Sequence, residues 1–377
     1  MVRATRPAQS TVDKMGLLLA MLREKTIKPV PDSTSFFKPK NLKTVVMKKK
    51  YAYFIKWITV LATEQELAIK EARESATRTG GDSDELEIPL PLITGMTGMS
   101  IKGVLYEKVL GEGLFGVVYK GKKDELDIAI KVLDLKSTPE NTITCEIEIM
   151  RLLETTEGVL RLIGYDTLMD YHFIYLSLAQ SNLYDFLQLN KKKRFREETV
   201  RKIIYQGLTT LKAIHQKRII HRDIKTDNFM VTIPQTDDHL VTLLLGDFGL
   251  ARSLDADPIP HDFSRHFHST PNMEAGGEPT MVDDLIQFGY SLLDMNGKDL
   301  NNMPSRALSR LKTQLNSSPK TVLTSHLKFL LPLFEELSLL DHDTAIDYNM
   351  LKEKVPLVES TDLQLKLTKV EDSFRLL

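Results

Sequence analysis

His221-Arg222-Asp223-Ile224-Lys225-Thr226-Asp227-Asn228 carries the strongest signal in this chain for both fold and chemistry. It follows residues 197–215, whose apolar side chains recur at helical spacing, so we expect it in a loop just after a helix. There Asp223 can accept a hydrogen bond from an attacking hydroxyl, and Lys225 can neutralise charge on a transferred phosphoryl group. Asn228 offers an oxygen ligand to a magnesium ion. A charged surface loop is the alternative, which the set spacing of these residues disfavours.

Downstream, Asp247-Phe248-Gly249 follows the apolar run Val241–Leu245. A carboxylate at the end of a buried strand is well placed to bind magnesium that bridges nucleotide phosphates. On its own the tripeptide predicts only a turn, but its order after the first motif favours a metal ligand.

Upstream, Gly111-Glu112-Gly113-Leu114-Phe115-Gly116 lies between two predicted strands, Val104–Leu110 and Val117–Lys120. Glycines let a backbone approach phosphates closely, and the backbone N–H groups can hold the negative charge. The pattern alone is weak, because a glycine-containing hairpin explains it equally well. A dinucleotide-binding fold is disfavoured, because a strand rather than a helix follows Gly116.

A third strand is predicted over Asp127–Leu133, and it contains Lys131 between apolar residues. A lysine in an apolar strand needs a partner and could hold phosphate oxygens; a solvated lysine on an edge strand is the alternative. Thr138-Pro139-Glu140 then predicts the start of a helix, with an N-cap, a proline at N1 and an acid in the first turn. Of the acids on this helix, Glu146 aligns better with the inward face than Glu148 and could orient Lys131.

Strands come first, with one more predicted over Phe173–Leu178, and helices later, which predicts an α+β body with two lobes. The glycine-rich loop, strand lysine, helix glutamate, His-Arg-Asp loop and Asp-Phe-Gly together resemble a eukaryotic protein kinase of the Ser/Thr type, over about residues 101–360. The resemblance implies a two-lobed protein kinase fold, with a small β-rich N-lobe, a larger helical C-lobe and an N-terminal extension. It also implies ATP and Mg²⁺ as cofactors and transfer of the γ-phosphate to Ser or Thr hydroxyls of protein substrates. A pseudokinase scaffold that binds nucleotide and partners without turnover is the alternative.

The resemblance assigns roles residue by residue. It makes Asp223, Lys225 and Asn228 catalytic, and Asn228 and Asp247 the magnesium ligands. It places a gatekeeper at Leu176, followed by a hinge over Ser177–Gln180. The nucleotide-binding residues that it implies are Leu110, Gly111, Glu112, Gly113, Leu114, Phe115, Gly116, Val117, Val118, Ala129, Lys131, Glu146, Leu176, Ser177, Ala179 and Met230.

Three stretches narrow the resemblance to the casein kinase I superfamily, which includes the vaccinia-related and tau-tubulin kinases. They are Asp227–Met230, the segment Gly276–Tyr290 with its Asp-Asp-Leu and Gly-Tyr, and Asp347-Tyr348 followed by Leu351.

The substrate-binding segment departs from the kinase pattern, because the usual Ala-Pro-Glu is missing. Thr270-Pro271 resembles the Thr-Pro that precedes it in many kinases, where the threonine touches the catalytic Asp and Lys. From Thr270 to Asp284 the chain is about five residues shorter than the family pattern, which is the only support for the pseudokinase alternative. Gly276 and Gly277 are expected to leave little preorganised surface there.

Arg222 could receive a phosphate from the activation segment, with Ser264, Ser269 and Thr270 as the candidates. Because casein kinase I-type enzymes generally work without such a phosphate, activity without it is expected.

The first hundred residues differ in composition from the rest. Residues 1–60 carry 13 Lys/Arg and 3 Asp/Glu, residues 61–90 carry 3 and 8, and Gly, Pro and Ser mark a linker up to Ser100. We therefore predict an extension over residues 1–100, with helices at Val12–Lys25 and Trp57–Arg78, and a kinase domain over residues 101–377. The basic part is expected to be solvated and to steer acidic partners, while nucleic acid or anionic lipid is a less favoured ligand.

Composition limits the remaining classes. With 42% apolar and 27% charged residues, the chain is expected to be soluble and globular, without a membrane span. Its one cysteine, Cys145, excludes an intrachain disulfide and favours an intracellular setting, cytoplasmic or nuclear. We expect Cys145 to be a small buried residue rather than a redox switch. His261, His266 and His268 cluster with Asp262, but their spacing is unlike that of a zinc site.

Overall fold

In the computed structural model the chain divides into two compact units, Met1–Asp134 and Leu135–Leu377. The predicted helices Val12–Lys25 and Trp57–Arg78 lie outside the described residues. The residues that the structure describes are 95–113, 116–135, 138, 140–256, 268–342, 345–357, 363–370 and 373–376.

The described part of the first unit is an antiparallel meander. At the glycine-rich turn between the second and third strands, Gly113 pairs with Gly116. The third and fourth strands pair along nearly their whole length. The rings of Tyr106 and Tyr119, both fully buried, meet edge to face with centroids 5.5 Å apart. The strands are β1 Ser100–Ile101, β2 Val104–Gly113, β3 Gly116–Lys123 and β4 Leu126–Asp134.

Packing in this unit begins ahead of Ile101. Met96 is fully buried, and the N–H of Gly98 donates to the carbonyl of Tyr106 at 2.6 Å. Any truncation that is meant to spare the folded part must therefore keep Met96.

The second unit is mostly helical, so the predicted order of strands first and helices later is confirmed, as is the mixed α+β class. The predicted helix over residues 197–215 is observed at Glu197–Gln216, and the predicted strand Phe173–Leu178 at Tyr171–Ser177. Within the described residues no helix is long and apolar enough to cross a membrane.

The helices of this unit are α1 Glu140–Leu152, α2 Leu183–Leu189, α3 Glu197–Gln216, α4 Pro271–Glu274, α5 Met281–Asp294, α6 Ser305–Ser317, α7 Leu331–Leu337 and α8 Tyr348–Glu353. Its strands are β5 Leu162–Leu168, β6 Tyr171–Ser177, β7 Ser181–Asn182, β8 Ile219–Ile220, β9 Phe229–Val231, β10 Leu240–Val241, β11 Leu243–Leu245, β12 Arg252–Ser253, β13 Leu365–Val370 and β14 Ser373–Leu376.

Two long helices, α3 and α5, form the centre of the second unit. Gly207 of α3 leaves room for Phe288 of α5, since a Cβ at residue 207 would lie 2.5 Å from the phenyl ring. At the start of α5, Thr280 and Asp283 form a capping box, in which Asp283 accepts the N–H of Thr280 at 2.8 Å. This cap fixes where α5 begins, and with it the position of the next carboxylate, Asp284.

Short antiparallel pairs hold the functional loops at one end of this helical core. β8 pairs with β12, and β9 lies between β7 and β11. The predicted catalytic loop connects β8 to β9, and Asp247 follows β11 after one residue, Gly246. Both sequence motifs therefore extend from the ends of paired strands.

A hairpin near the end of the sequence completes a three-stranded sheet in the order β10-β13-β14. The apolar run Val241–Leu245 is consequently split, because Val241 pairs with Leu365 while Leu243 pairs with Val231. Gln206 of α3 further ties the hairpin down by donating to the carbonyl of Leu363 at 2.6 Å. The sequence analysis did not predict this hairpin.

Candidate active site

The predicted catalytic loop, residues 221–228, is anchored by a carboxylate from the helical core. Asp284 is fully buried, and its two oxygens accept the backbone N–H groups of His221 at 2.7 Å and Arg222 at 2.8 Å. The ring of His221 reaches the carbonyl of Gly246 at 3.0 Å, which ties the loop to the segment before Asp247. The backbone at residues 221 and 222 is thus fixed from two sides.

Asp223, Lys225 and Asn228 form one hydrogen-bonded cluster. Lys225 Nζ lies 2.8 Å from Asp223 Oδ2, and Asn228 Nδ2 donates to the carbonyl and to Oδ2 of Asp223 at 2.8 and 3.0 Å. Burial acts to lower the pKa of Lys225, but the charge and hydrogen bond of Asp223, with the charge of Asp247, outweigh it and raise the pKa. Lys225 therefore stays protonated at neutral pH beside an oriented carboxylate.

The two predicted magnesium ligands offer oxygen atoms, as this ion prefers. The amide nitrogen of Asn228 is occupied by Asp223, so its amide oxygen is the atom left for an ion. Asp247 follows β11 with a left-handed backbone (φ 58°) and acts electrostatically on Lys225. An amide oxygen and a carboxylate are donors that fit Mg²⁺ when phosphate oxygens complete its coordination. Within the described residues, no group of three His, Cys, Asp or Glu side chains could hold a metal ion.

The segment predicted as the hinge is fixed at its ends and open in its middle. Ser177 donates its backbone N–H to the carbonyl of Arg161 at 2.9 Å, and Gln180 donates to Val231 at 2.9 Å. Among the described residues the backbone of Ala179 makes no hydrogen bond, so its N–H and carbonyl remain available to a purine base. Leu176 is buried just before this segment, as a gatekeeper would be.

Met230, expected under the adenine, lies in β9 opposite Leu244. A Cβ at residue 246 would lie 2.4 Å from the Met230 Cε, so Gly246 makes room for this methionine. The residue before Asp247 therefore has to be small.

In the first unit, the glycine-rich loop is the β2–β3 hairpin, and Leu114 and Phe115 lie outside the described residues. Gly116 has a packing role as well, because a Cβ there would lie 2.0 Å from the Val132 carbonyl oxygen. Close backbone approach is thus built into the end of this loop. Of the other predicted nucleotide-binding residues in this unit, Leu110, Gly111 and Glu112 are exposed, Val118 is half-buried, and Val117 and Ala129 are buried.

Lys131 is buried, with 8% of its surface exposed, so the alternative of a solvated lysine is wrong. In α1, Glu146 is buried and Glu148 is exposed, which confirms that Glu146 occupies the inward face. Lys131 and Glu146 belong to different units, and their pairing stays a prediction.

Thr270 does not have the role that its resemblance implied. It is the N-cap of α4, where its oxygen accepts the N–H of Met273 and its hydroxyl donates to Asp283. These contacts replace the expected ones to Asp223 and Lys225, because a threonine before proline is a strong helix cap. Ser269 and Thr270 are both fully buried, so neither hydroxyl is exposed for phosphorylation, and both lose support as carriers of the phosphate that Arg222 could receive.

The segment around Gly277 is also better ordered than expected. Gly277 donates to the carbonyl of Asn272 at 2.9 Å, and the Asn272 amide donates to Glu278 and Asp283, both at 2.9 Å. A Cβ at residue 277 would lie 1.9 Å from the Asn272 side chain, so this glycine serves packing. The expectation of little preorganised surface here is wrong.

Two residues near this segment, Lys312 and His268, make contacts that the sequence analysis did not predict. Lys312 of α6 is buried and bonds to the Ser269 carbonyl at 2.7 Å and to Glu274 at 2.6 Å. His268 is buried with its Nε2 2.8 Å from Asp294, whereas His261, Asp262 and His266 lie outside the described residues. A lysine on a polar helix and a histidine in a mixed cluster carry no signal that identifies such partners.

Comparisons with known proteins identify a family model and several related kinases. Residues 105–275 match the family model described as protein kinase domain. The chain is similar to a probable serine/threonine-protein kinase fnkE from Dictyostelium discoideum, with 26% identity over 58% of this chain and 18% of that protein. It is similar to an Aurora kinase from Yarrowia lipolytica, with 35% identity over 43% of each chain. It is also similar to the serine/threonine-protein kinase CDG1 from Arabidopsis thaliana, with 29% identity over 53% of this chain and 47% of that protein. The aligned part spans less than half the length of each of these relatives.

Proposed function

We propose that this chain, which contains a protein kinase domain, is an active serine/threonine protein kinase that uses Mg-ATP. The observation that carries the proposal is the cluster of Asp223, Lys225 and Asn228, in which the ammonium group of Lys225 and the amide nitrogen of Asn228 both hydrogen-bond the carboxylate of Asp223. Phosphoryl transfer asks mainly for such positioning and for charge stabilisation.

In the proposed reaction, the hydroxyl oxygen of a Ser or Thr forms a bond to the γ-phosphorus, and the bond from that phosphorus to the β–γ bridging oxygen breaks. Asp223 orients the hydroxyl and accepts its proton, while ADP carries away the electron pair of the broken bond. Lys225 neutralises charge on the transferred group, and Asn228 and Asp247 would hold Mg²⁺, which supplies charge neutralisation between the phosphates when bound.

The nucleotide-binding residues predicted from the sequence also belong to this proposal. The hairpin Gly111–Val118, Ala129 and Lys131 would contribute from the first unit, and Glu146 would orient Lys131. The hinge Ser177–Gln180 with Leu176 and Met230 would contribute from the second. The open backbone of Ala179 and the burial of Lys131 support this assignment.

The finer placement in the casein kinase I superfamily also belongs to this proposal. It rests on the three sequence motifs given above. The structural roles of the motif at residues 347–351 support it, because Asp347 caps α8 and Tyr348 and Leu351 are buried. None of the relatives named above carries casein kinase I in its name.

A transfer assay tests the proposal. Purified full-length protein with Mg-[γ-³²P]ATP and a mixed peptide array should label peptides that contain Ser or Thr, and phosphoamino acid analysis should return phosphoserine or phosphothreonine. Chelation of the magnesium with EDTA should abolish the labelling.

The matched control is Asp223→Asn, which keeps the shape of the side chain but removes the proton acceptor. We expect turnover to fall by about 10²–10⁴-fold, the usual cost of losing a positioned base, while the shift in melting temperature with Mg-ATP stays nearly unchanged. Equal turnover in both proteins would show that Asp223 is misassigned. Nucleotide binding without turnover in the unaltered protein would favour the pseudokinase alternative.

A further inference from the structure

We infer that Tyr348, at the start of α8, is a positioning residue for the catalytic loop, and that it acts through His215 and Asp284. The expected change in turnover rests on the proposed kinase activity, whereas a second measurement, amide hydrogen exchange, is independent of activity.

The contacts form one continuous chain inside the second unit. The Tyr348 hydroxyl is hydrogen-bonded to Nδ1 of His215, and His215 Nε2 lies 2.9 Å from Asp284 Oδ2. The same Oδ2 accepts the backbone N–H of His221, directly before the Arg222-Asp223 pair. Three side chains thus connect α8 to the loop that holds Asp223.

Each member of this chain is shielded from water. His215 has 3% of its surface exposed, Asp284 none and Tyr348 7%. Inside a protein, polar groups that lose a partner are not compensated by solvent, so each hydrogen bond in such a network constrains the next.

The direction of each hydrogen bond follows from chemistry. The ionised Asp284 carboxylate can only accept, so Nε2 of His215 carries the hydrogen that points to it. In the neutral ring Nδ1 is then the acceptor, and the Tyr348 hydroxyl donates to it. Burial, followed by the charge of Asp284, raises the pKa of Tyr348, so the hydroxyl keeps its proton.

By donating to Nδ1, Tyr348 therefore stabilises the tautomer of His215 whose Nε2 donates to Asp284. Without the hydroxyl, Nδ1 of His215 is buried and lacks its donor. The observed ring orientation and tautomer of His215 are then less stable relative to the alternatives. Asp284 then loses one of three hydrogen bonds, and the two that remain are those that set the catalytic loop. A small displacement of Asp223 is expected to reduce turnover more than substrate binding, because the base acts only in the transition state.

The test compares two Tyr→Phe substitutions, each of which removes one buried hydroxyl oxygen. Tyr348→Phe removes the hydroxyl in the network. Tyr290→Phe is the control, because Tyr290 is also buried in the second unit and its hydroxyl makes no hydrogen bond within the described residues. We expect Tyr348→Phe to lower kcat about tenfold with KM for ATP changed less than about twofold, and Tyr290→Phe to leave kcat within about twofold. Equal kcat in the two variants would overturn the inference.

Two further measurements separate positioning from loss of structure and from failure of the proposed activity. In a protein that already carries His215→Gln, Tyr348→Phe should cause no further loss of turnover, because the hydrogen bonds through His215 are already lost. A further tenfold loss would show that Tyr348 does not act through His215. Amide hydrogen exchange in purified protein should be faster at residues 221–222 in Tyr348→Phe than in Tyr290→Phe, whether or not the protein has kinase activity. Unchanged protection there would also overturn the inference, whereas absent turnover in the unaltered protein would count against the proposed function alone.

Discussion

At the scale of single residues, the buried arginine of the catalytic loop already has partners. Arg222 Nε donates to the carbonyl of Leu250, and its burial, together with the nearby charge of Arg252, lowers the pKa of Arg222 to about 10. Arg252 in turn lies 3.6 Å from a carboxylate oxygen of Glu278. The positive charge that could receive a phosphate is thus partly balanced by an acid of the chain itself.

We therefore expect phosphatase treatment of the purified protein to change its rate of peptide phosphorylation by less than about tenfold, or ~1.4 kcal/mol. Ser264 is the one sequence candidate that the described burial does not exclude, so Ser264→Ala is the matched variant and should behave in the same way. A collapse of the rate after treatment would mean that the Glu278 contact does not replace a phosphate.

Cys145 of α1 is half-buried, whereas the sequence analysis expected a buried residue. Its sulfur faces the carbonyl of Ala251 at 3.8 Å, and burial raises the pKa of the thiol, only partly opposed by Arg222. Since the thiolate is the reactive form, a raised pKa means a smaller reactive fraction at neutral pH.

Labelling of Cys145 by a disulfide reagent at pH 7.5 should therefore be at least about tenfold slower in the folded protein than in urea, where the pKa returns to its usual value near 8.5. The rate in the folded state should rise with pH beyond the point at which the unfolded chain levels off. Equal rates in both states would contradict the burial of this sulfur.

At the scale of elements, α4 and the start of α5 form a braced unit rather than a loose loop. The Asn272 amide and Thr270 hydroxyl both reach Asp283, and Lys312 bridges the Ser269 carbonyl to Glu274. The short substrate segment is held by contacts from α6.

Lys312→Met should remove this brace while keeping the length of the side chain. Because the Ser269 carbonyl would lose its partner and Glu274 is partly exposed, we expect a loss of about 1–3 kcal/mol in the free energy of unfolding, measured by urea denaturation. Lys320→Met is the control, since Lys320 is exposed, and should cost less than about 0.5 kcal/mol. The brace would be unimportant if the two variants had the same midpoint.

The spacing of apolar residues predicted helices correctly where the pattern extended over many residues. It could not predict contacts between residues that are far apart in the sequence. Helix α3 was expected within one residue of its observed end, because its apolar spacing persists over five turns. Thr270 was misassigned, because the same Thr-Pro pair suits both a substrate loop and a helix cap. Lys312 gave no signal, and Tyr348 was noted only as part of the Asp-Tyr motif, since their partners lie in other parts of the sequence. The catalytic cluster was predicted because its members lie within six positions of one another.

At the scale of the whole molecule, charge is distributed unevenly. Residues 1–60 carry an excess of ten positive charges, from 13 Lys/Arg against 3 Asp/Glu, while the whole chain has a net charge of −1. Such an excess raises the encounter rate with acidic partners and acts over about a Debye length. We propose that this segment recruits acidic protein substrates.

Deletion of residues 1–94, which keeps Met96, should leave the rate on short neutral peptides almost unchanged and should slow phosphorylation of acidic protein substrates. The difference should fade as salt is raised from about 50 mM to 500 mM, because screening removes the long-range attraction. Loss of activity on short peptides as well would place residues 1–94 in the catalytic fold, and the predicted boundary near Ile101 would be wrong.

The sheet of β10, β13 and β14 has a consequence for how the protein is made. Val241 can pair with Leu365 only after the ribosome has added the intervening chain, which at about 5–20 residues per second takes on the order of ten seconds. During that interval the predicted catalytic loop and Asp247 have already been synthesised. Strand β10, close to them in the sequence, still lacks its partner β13. A nascent chain at this stage offers an unpaired strand to chaperones, so completion of this sheet is a late event in biosynthesis.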